Sequence, residues 1–226
     1  MGGVLDGFWQ QGVALAVFLG THAIAALPGA RGALRRRLGA GGYLVGYSVV
    51  SLALLVWLTV ATLGSPFVAL WPPQPFAAVL LVAVMPGALI LLVAALTEAN
   101  PFSLGFSGRT FDPQRPHTCG RVAHPLFVAF GLWAGLHLLA NGDVAAALYF
   151  GPLLLLALAG PAVASAKAKA RYGAVQLDLW RRAARAAPPT TRLPALRTWI
   201  GGLLLYGAIL FLHGPLIGLD PRDMLP

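Results

Sequence analysis

Three histidines stand inside strongly apolar runs of this chain: His22, His137 and His213. An ionisable side chain in hydrocarbon is costly and marks function by default. No Asp, Glu, Lys or Arg lies near the middle of any apolar run. A proton relay or ion path therefore lacks its usual carboxylates. Neutral imidazole offers a lone pair to a metal instead, and it is the usual axial ligand of haem iron. Helical bundles build such cofactor sites from side chains on facing helices. The plainer alternative is that each ring hydrogen-bonds a carbonyl on a neighbouring helix, since polar contacts of this kind join membrane helices. His117 falls in a loop. Cys119 is the single cysteine, which excludes an intrachain disulfide and a multi-cysteine zinc site.

The densest stretch is HPLFVAFGLWAGLHLLANGD, residues 124–143. On a helix, His124 and His137 are separated by about 220° of rotation and about 20 Å of rise. They cannot share one small ligand, so they do separate jobs. His124 starts the segment, with Pro125 at the first helical position. Trp133, His137 and Asn141 are spaced by four and share a face, which makes Trp133 and Asn141 candidates to line a pocket or orient His137. Bundle packing is the alternative for Trp133. Gly131 and Gly135 form a GxxxG that lets another helix approach. Asp143 is placed to cap the next helix.

The elements that must position these groups are membrane helices. The chain has 226 residues, 58% of them hydrophobic and 10% charged, with a mean hydropathy of +0.76. A water-soluble domain carries about 25% charged residues, so the composition points to an all-α integral membrane protein. Six segments are long and apolar enough: 8–28, 42–63, 76–97, 124–141, 143–166 and 196–218. The first lacks a basic leader before it and is expected to be retained. Asn141-Gly142-Asp143 predicts a tight hairpin between segments four and five. Residues 167–187 read as an amphipathic helix, either interfacial or packed under the bundle, with Tyr172, Val175, Gln176 and Leu179 at helical spacing.

Net charge is +9, yet 15 of the 16 Lys and Arg residues fall in alternate loops, with Arg222 alone on the other side. That is a membrane-topology pattern, which excludes nucleic acid as partner and puts both termini outside. His137 and His213 both fall in the outer half of their segments, whereas His22, nine residues before Arg31, is nearer the inner side. Depth thus matches His137 with His213, although a helix tilt of ~20° would let His22 and His137 be bridged as well.

GTHA at 20–23 before an Arg-rich turn, Tyr43 and Tyr47, ANPFSLGF at 99–106, GRVAHP at 120–125, LWAGLHLLANGD at 132–143 and FLHG at 211–214 together resemble the NnrU family of membrane proteins, in the same order and over nearly the whole chain. That resemblance implies a bacterial inner-membrane location and a link to denitrification and nitric oxide metabolism. The family is in turn similar to zeta-carotene isomerase, a membrane haem b protein that isomerises a cis double bond of a polyene. By that likeness haem b is the implied cofactor, and its ligands match His22 and His137. The isomerase cysteine proposed as an alternative ligand is matched by Ala134, so a ligand switch does not carry over. His124-Pro125 also resembles the isoprenylcysteine-type membrane methyltransferases, with Arg121, His124 and Tyr172 near the cofactor. Here, however, Ala123 stands where they have Arg, and no Glu follows Glu98.

Three readings follow. One is a haem b protein using His22 and His137, with His213, Trp133 and Asn141 as further pocket candidates, acting on a small gas or a hydrophobic small molecule. Another is a non-enzymatic accessory or assembly protein for a respiratory membrane complex, since no nucleophile or acid–base pair is visible. The last is a membrane methyltransferase.

Overall fold

The computed structural model describes residues 7–72, 74–104 and 106–224. The extreme N-terminus and Gly105 of ANPFSLGF lie outside them. Among the described residues, seven α-helices appear in chain order: α1 (Trp9–Ala26), α2 (Pro28–Leu63), α3 (Pro75–Thr97), α4 (Pro125–Asn141), α5 (Val144–Tyr172), α6 (Ala174–Ala186) and α7 (Leu196–Ile217). No strand occurs among the described residues; one isolated bridge joins Ala69 to Asp143.

Among the described residues, four helical stretches are long and apolar enough to cross a bilayer: Gly41–Leu63, Phe76–Thr97, Val144–Tyr172 and Pro189–Ile217. The expected first segment is α1, which qualifies only together with Gly29–Gly39, bent away from it by 81°. Pro28 explains the bend, because proline disfavours helix at the residue before it. Leu27 is accordingly extended, at φ −68° and ψ 122°. Gly39, at φ 71° and ψ 169°, breaks α2 again. The expected fourth segment is α4, a shorter apolar helix of 17 residues. That is the lower end of what spans ~30 Å of hydrocarbon.

The chain divides into two compact units, Met1–Pro72 with Gly142–Tyr149, and Pro73–Asn141 with Phe150–Pro226. In the first, α1 packs on α2 around a fully buried Gln11. Its amide nitrogen donates to the Ala145 carbonyl at 2.7 Å and to the Thr62 hydroxyl at 3.0 Å, and its oxygen accepts from Ser65 at 3.1 Å. Gly142 takes φ 66° and its carbonyl accepts from the Leu70 and Trp71 N–H groups at 2.8 and 3.1 Å. A side chain there would collide with Trp71 at 2.7 Å. Asp143 caps α5 as expected, accepting from the Ala146 N–H at 3.0 Å.

In the second unit α3 packs against both α4 and α7. The tightest approach on α7 is at Gly202, where an added Cβ would lie 2.6 Å from the Ile90 backbone. The GxxxG of α4 does not play that part. A Cβ at Gly131 or Gly135 would stand 3.9 or 3.8 Å from Ala157 and Leu154, ordinary contact. The amphipathic helix also departs from expectation. Lys167–Tyr172 continue α5, Gly173 at φ 79° breaks the chain, and α6 starts at Ala174. Leu177 and Ala184 form its buried face, whereas Val175 and Leu179 point outward at 76% and 55% exposure. Leu177 joins Phe102, Cys119 and Ala168 in a small core, with Tyr172 and Trp180 against it.

Candidate functional site

His137 sits on α4 with Trp133 one turn before it and Asn141 one turn after. Its Nδ1 lies 2.7 Å from the Trp133 carbonyl. A carbonyl can only accept, so Nδ1 carries the proton and Nε2 the lone pair. The ring stacks on Phe150 of α5, centroids 5.0 Å apart and planes at 28°, and meets Trp133 at 5.6 Å. Trp133 is itself edge-on to Phe150 at 5.3 Å and to Phe130 at 6.0 Å. Asn141 does not touch the imidazole; its amide donates to the His137 backbone carbonyl at 2.7 Å and so finishes the helix.

His213 has the same arrangement by a different route. Its Nδ1 meets the Leu219 carbonyl at 2.6 Å, in the chain that turns back after α7 at the left-handed Gly218. His22, in the first unit, repeats the pattern within one helix, with Nδ1 2.8 Å from the Phe18 carbonyl. Tyr47 stands edge-on to it at 5.7 Å and stacks with Tyr43 at 6.0 Å. The expected cross-helix bonds are therefore absent for these three rings among the described residues. His22 and His137 use carbonyls of their own helices, which leaves their outward nitrogen uncommitted.

His137, His213 and Trp133 line one half-open cavity of about 210 Å³ between α3, α4 and α7. Met85, Leu89 and Tyr206 complete much of its wall, and Tyr206 is held by a 3.0 Å bond to the Val82 carbonyl. His22 belongs to the other unit, so of the expected site residues the structure gathers His137, His213 and Trp133. No cluster of three or more His, Cys, Asp or Glu suited to a bare metal ion occurs among the described residues.

The donor set fits haem. Metal-ligating histidines typically donate the second ring N–H to a carbonyl, which fixes the tautomer and raises ligand basicity. All three histidines have that partner. The enclosed volume is below the ~300–1,000 Å³ of most small-molecule sites, so a macrocycle held by these residues would extend beyond it.

The third unit of chemistry considered in the sequence, around Arg121, His124 and Tyr172, is dispersed. His124 starts α4, and its Nε2 bonds the Ser165 hydroxyl at 3.2 Å. Tyr172 packs edge-on against Trp180 at 5.3 Å. Arg121 lines a separate cavity of about 100 Å³.

Two polar centres were not anticipated as such. Glu98, the single glutamate, is buried at the end of α3. It accepts from the Thr118 N–H at 3.0 Å, the Ala195 N–H at 2.9 Å and the Thr198 hydroxyl at 2.7 Å. It thereby ties α3, the 3₁₀ turn His117–Gly120 and the start of α7. Asn100 beside it donates to the Ala123 carbonyl at 3.0 Å and accepts from the Phe102 N–H. Gln11 plays the same part in the first unit. A lone polar residue within or closing an apolar run was the available signal for both.

This is a helical membrane protein with a histidine-lined groove. A family model described as NnrU protein matches residues 12–221, and the chain belongs to the NnrU family. No curated protein and no solved structure matches it significantly.

Proposed function

We propose that the chain is a bacterial inner-membrane protein that binds haem b through Nε2 of His137. In this reading the bent α1 pair and the short α4 also cross the bilayer, giving six segments with both termini outside, as the alternation of basic loops favours. The observation that carries the proposal is the Nδ1-to-carbonyl tether of His137 at the wall of an apolar cavity. The tether holds the ring in one tautomer and aims a lone pair into a space without water-like partners. Trp133 and Phe150 fix the ring plane, and Met85, Leu89 and Tyr206 keep the surroundings apolar.

The second ligand is His213 if the shared cavity decides, and His22 if the isomerase likeness does. Haem, when bound, would supply redox and small-gas chemistry at this site. That suits the family link to nitric oxide and denitrification metabolism, or isomerisation of a hydrophobic polyene. The small cavity lined by Arg121 includes neither His124 nor Tyr172, which disfavours methyl transfer.

The test is a visible spectrum of purified protein, oxidised and reduced, for the wild type and for His22→Ala, His137→Ala and His213→Ala. A Soret band lost in His137→Ala and in one other variant identifies the pair. A colourless wild type expressed with ample haem contradicts the reading and leaves an accessory role for a respiratory complex.

A further inference from the structure

Away from the histidine groove, the loop after α3 and the helix α6 enclose the second cavity, of about 100 Å³. Three arginines line it, Arg121, Arg181 and Arg185, together with Phe102 and Cys119. The ion pairs among the described residues are Arg182–Asp178 and Arg222–Asp220, so none of the three lining arginines has a carboxylate partner there. Arg181 lies over the Phe102 ring at 5.4 Å, and Arg121 makes one long bond, 3.4 Å, to the Pro189 carbonyl. Most of their donors remain available.

The nearby acid forms no ion pair with them among the described residues. Glu98 is committed to three hydrogen bonds. Burial, with the Glu98 charge adding to it, pushes the Cys119 thiol up to about 12, so it stays neutral at physiological pH. Two side-chain groups beside the cavity are also unmet. Arg192 Nε and Thr118 Oγ1 are buried with no partner among the described residues. Arg192 packs so closely on the lining Gly120 that a Cβ there would sit 2.9 Å from its Cγ.

Like charges gathered without counterions are destabilising unless an anion joins them, and guanidinium forks match phosphate oxygens. We propose that this cavity binds the phosphate of an anionic ligand, with an anionic phospholipid headgroup as the favoured source. The surroundings favour lipid because α6 exposes Val175 and Leu179 on the same short helix that carries Arg181 and Arg185. A helix with apolar residues and arginines together lies at a bilayer surface, and basic pockets beside membrane helices bind lipid headgroups.

The experiment uses the full chain in neutral detergent, with the melting temperature and retained lipid as readouts. It is titrated separately with phosphatidylglycerol, phosphatidylcholine and inorganic phosphate. Arg181→Gln/Arg185→Gln is compared with the control Arg182→Gln, whose side chain pairs with Asp178 outside the cavity. Losing two charge-assisted contacts should weaken binding ~10- to 100-fold, while the control binds as the wild type. Preference for phosphatidylglycerol over phosphatidylcholine, lost in the double variant, identifies a lipid headgroup. A response to inorganic phosphate alone, lost in the same variant, keeps the phosphate site and assigns it to a soluble ligand. Equal binding by the wild type and a double variant that melts at the same temperature overturns the proposal.

Discussion

The loop cap around Glu98 and the groove around His137 belong to the same unit and treat polar groups in opposite ways. Glu98 is reached by donors from two other segments of the chain, and its two oxygens take three bonds. His137 makes one bond, to its own helix. Both are polar groups removed from water, so both must be satisfied or be costly. The first is satisfied by the fold and therefore holds the fold together. The second keeps a lone pair in reserve, which contributes little to stability and is useful only to something that binds. In the proposed function, the difference separates an anchor from a ligand.

The sharpest way to break the comparison is Glu98→Ala. It leaves three buried donors unmet at the junction of α3 and α7, at ~1–3 kcal/mol each, and should cost ~3 kcal/mol or more. Thiol alkylation reads it out. Cys119, buried and with its pKa at about 12, should label negligibly at pH 8 in the wild type and readily in the variant. If Glu98→Ala melts like the wild type, the cap is not an anchor.

Next comes the wall shared with the groove. Gly202→Val places a side chain against the Ile90 backbone, which a Cβ would meet at 2.6 Å. Overpacking of this kind costs ~1–3 kcal/mol and should part α3 from α7, lowering the melting temperature. The same change at Gly207, which has open space around it, should be tolerated.

The matching substitution in the groove is His137→Leu. It keeps apolar bulk beside Phe150 and should cost under ~1.5 kcal/mol, as near volume-conserving swaps do. A melting point within a few degrees of the wild type sharpens the contrast with Glu98→Ala; a collapse on that scale would make His137 a second anchor.

The smallest effect concerns the turn that holds His213. Arg222 beside Asp220 keeps its carboxyl low, at about 2 against an ordinary 3.8. A depressed carboxylate contributes stability that is present above 3.8 and lost as pH falls through 2. Hydrogen exchange in residues 218–223 should therefore rise between pH 4 and pH 2 and leave the cap unchanged. The pair is exposed, so high salt should weaken the effect.

Much of the architecture was legible because hydropathy is a one-dimensional property. The segment expected at 76–97 is Phe76–Thr97, and that at 196–218 is the helix Leu196–Ile217. The hairpin at Gly142 and the cap at Asp143 follow from local backbone chemistry, and both are present. What failed needed a third dimension. GxxxG marked Gly131 and Gly135, but which glycine meets a backbone depends on helix crossing, and that place is Gly202. The start of α6 turned on Gly173 and its positive φ, a choice open to any of the 27 glycines. Helical spacing put Val175 and Leu179 together correctly, yet the buried face is that of Leu177 and Ala184. In the site, the types and positions of His137 and His213 were readable. Their tethers were not, because the Trp133 and Leu219 carbonyls are invisible to side-chain patterns. Glu98 looked like a helix end until three donors from distant sequence converged on it.

The most direct measurement takes purified His137→Leu and the wild type side by side, recording the reduced-minus-oxidised visible spectrum and the melting temperature on the same samples. If His137 holds haem, the wild type shows sharp haem bands, the variant loses them, and the two melting temperatures lie within a few degrees of each other. Haem bands that persist in the variant, or a wild type without them, would contradict that role.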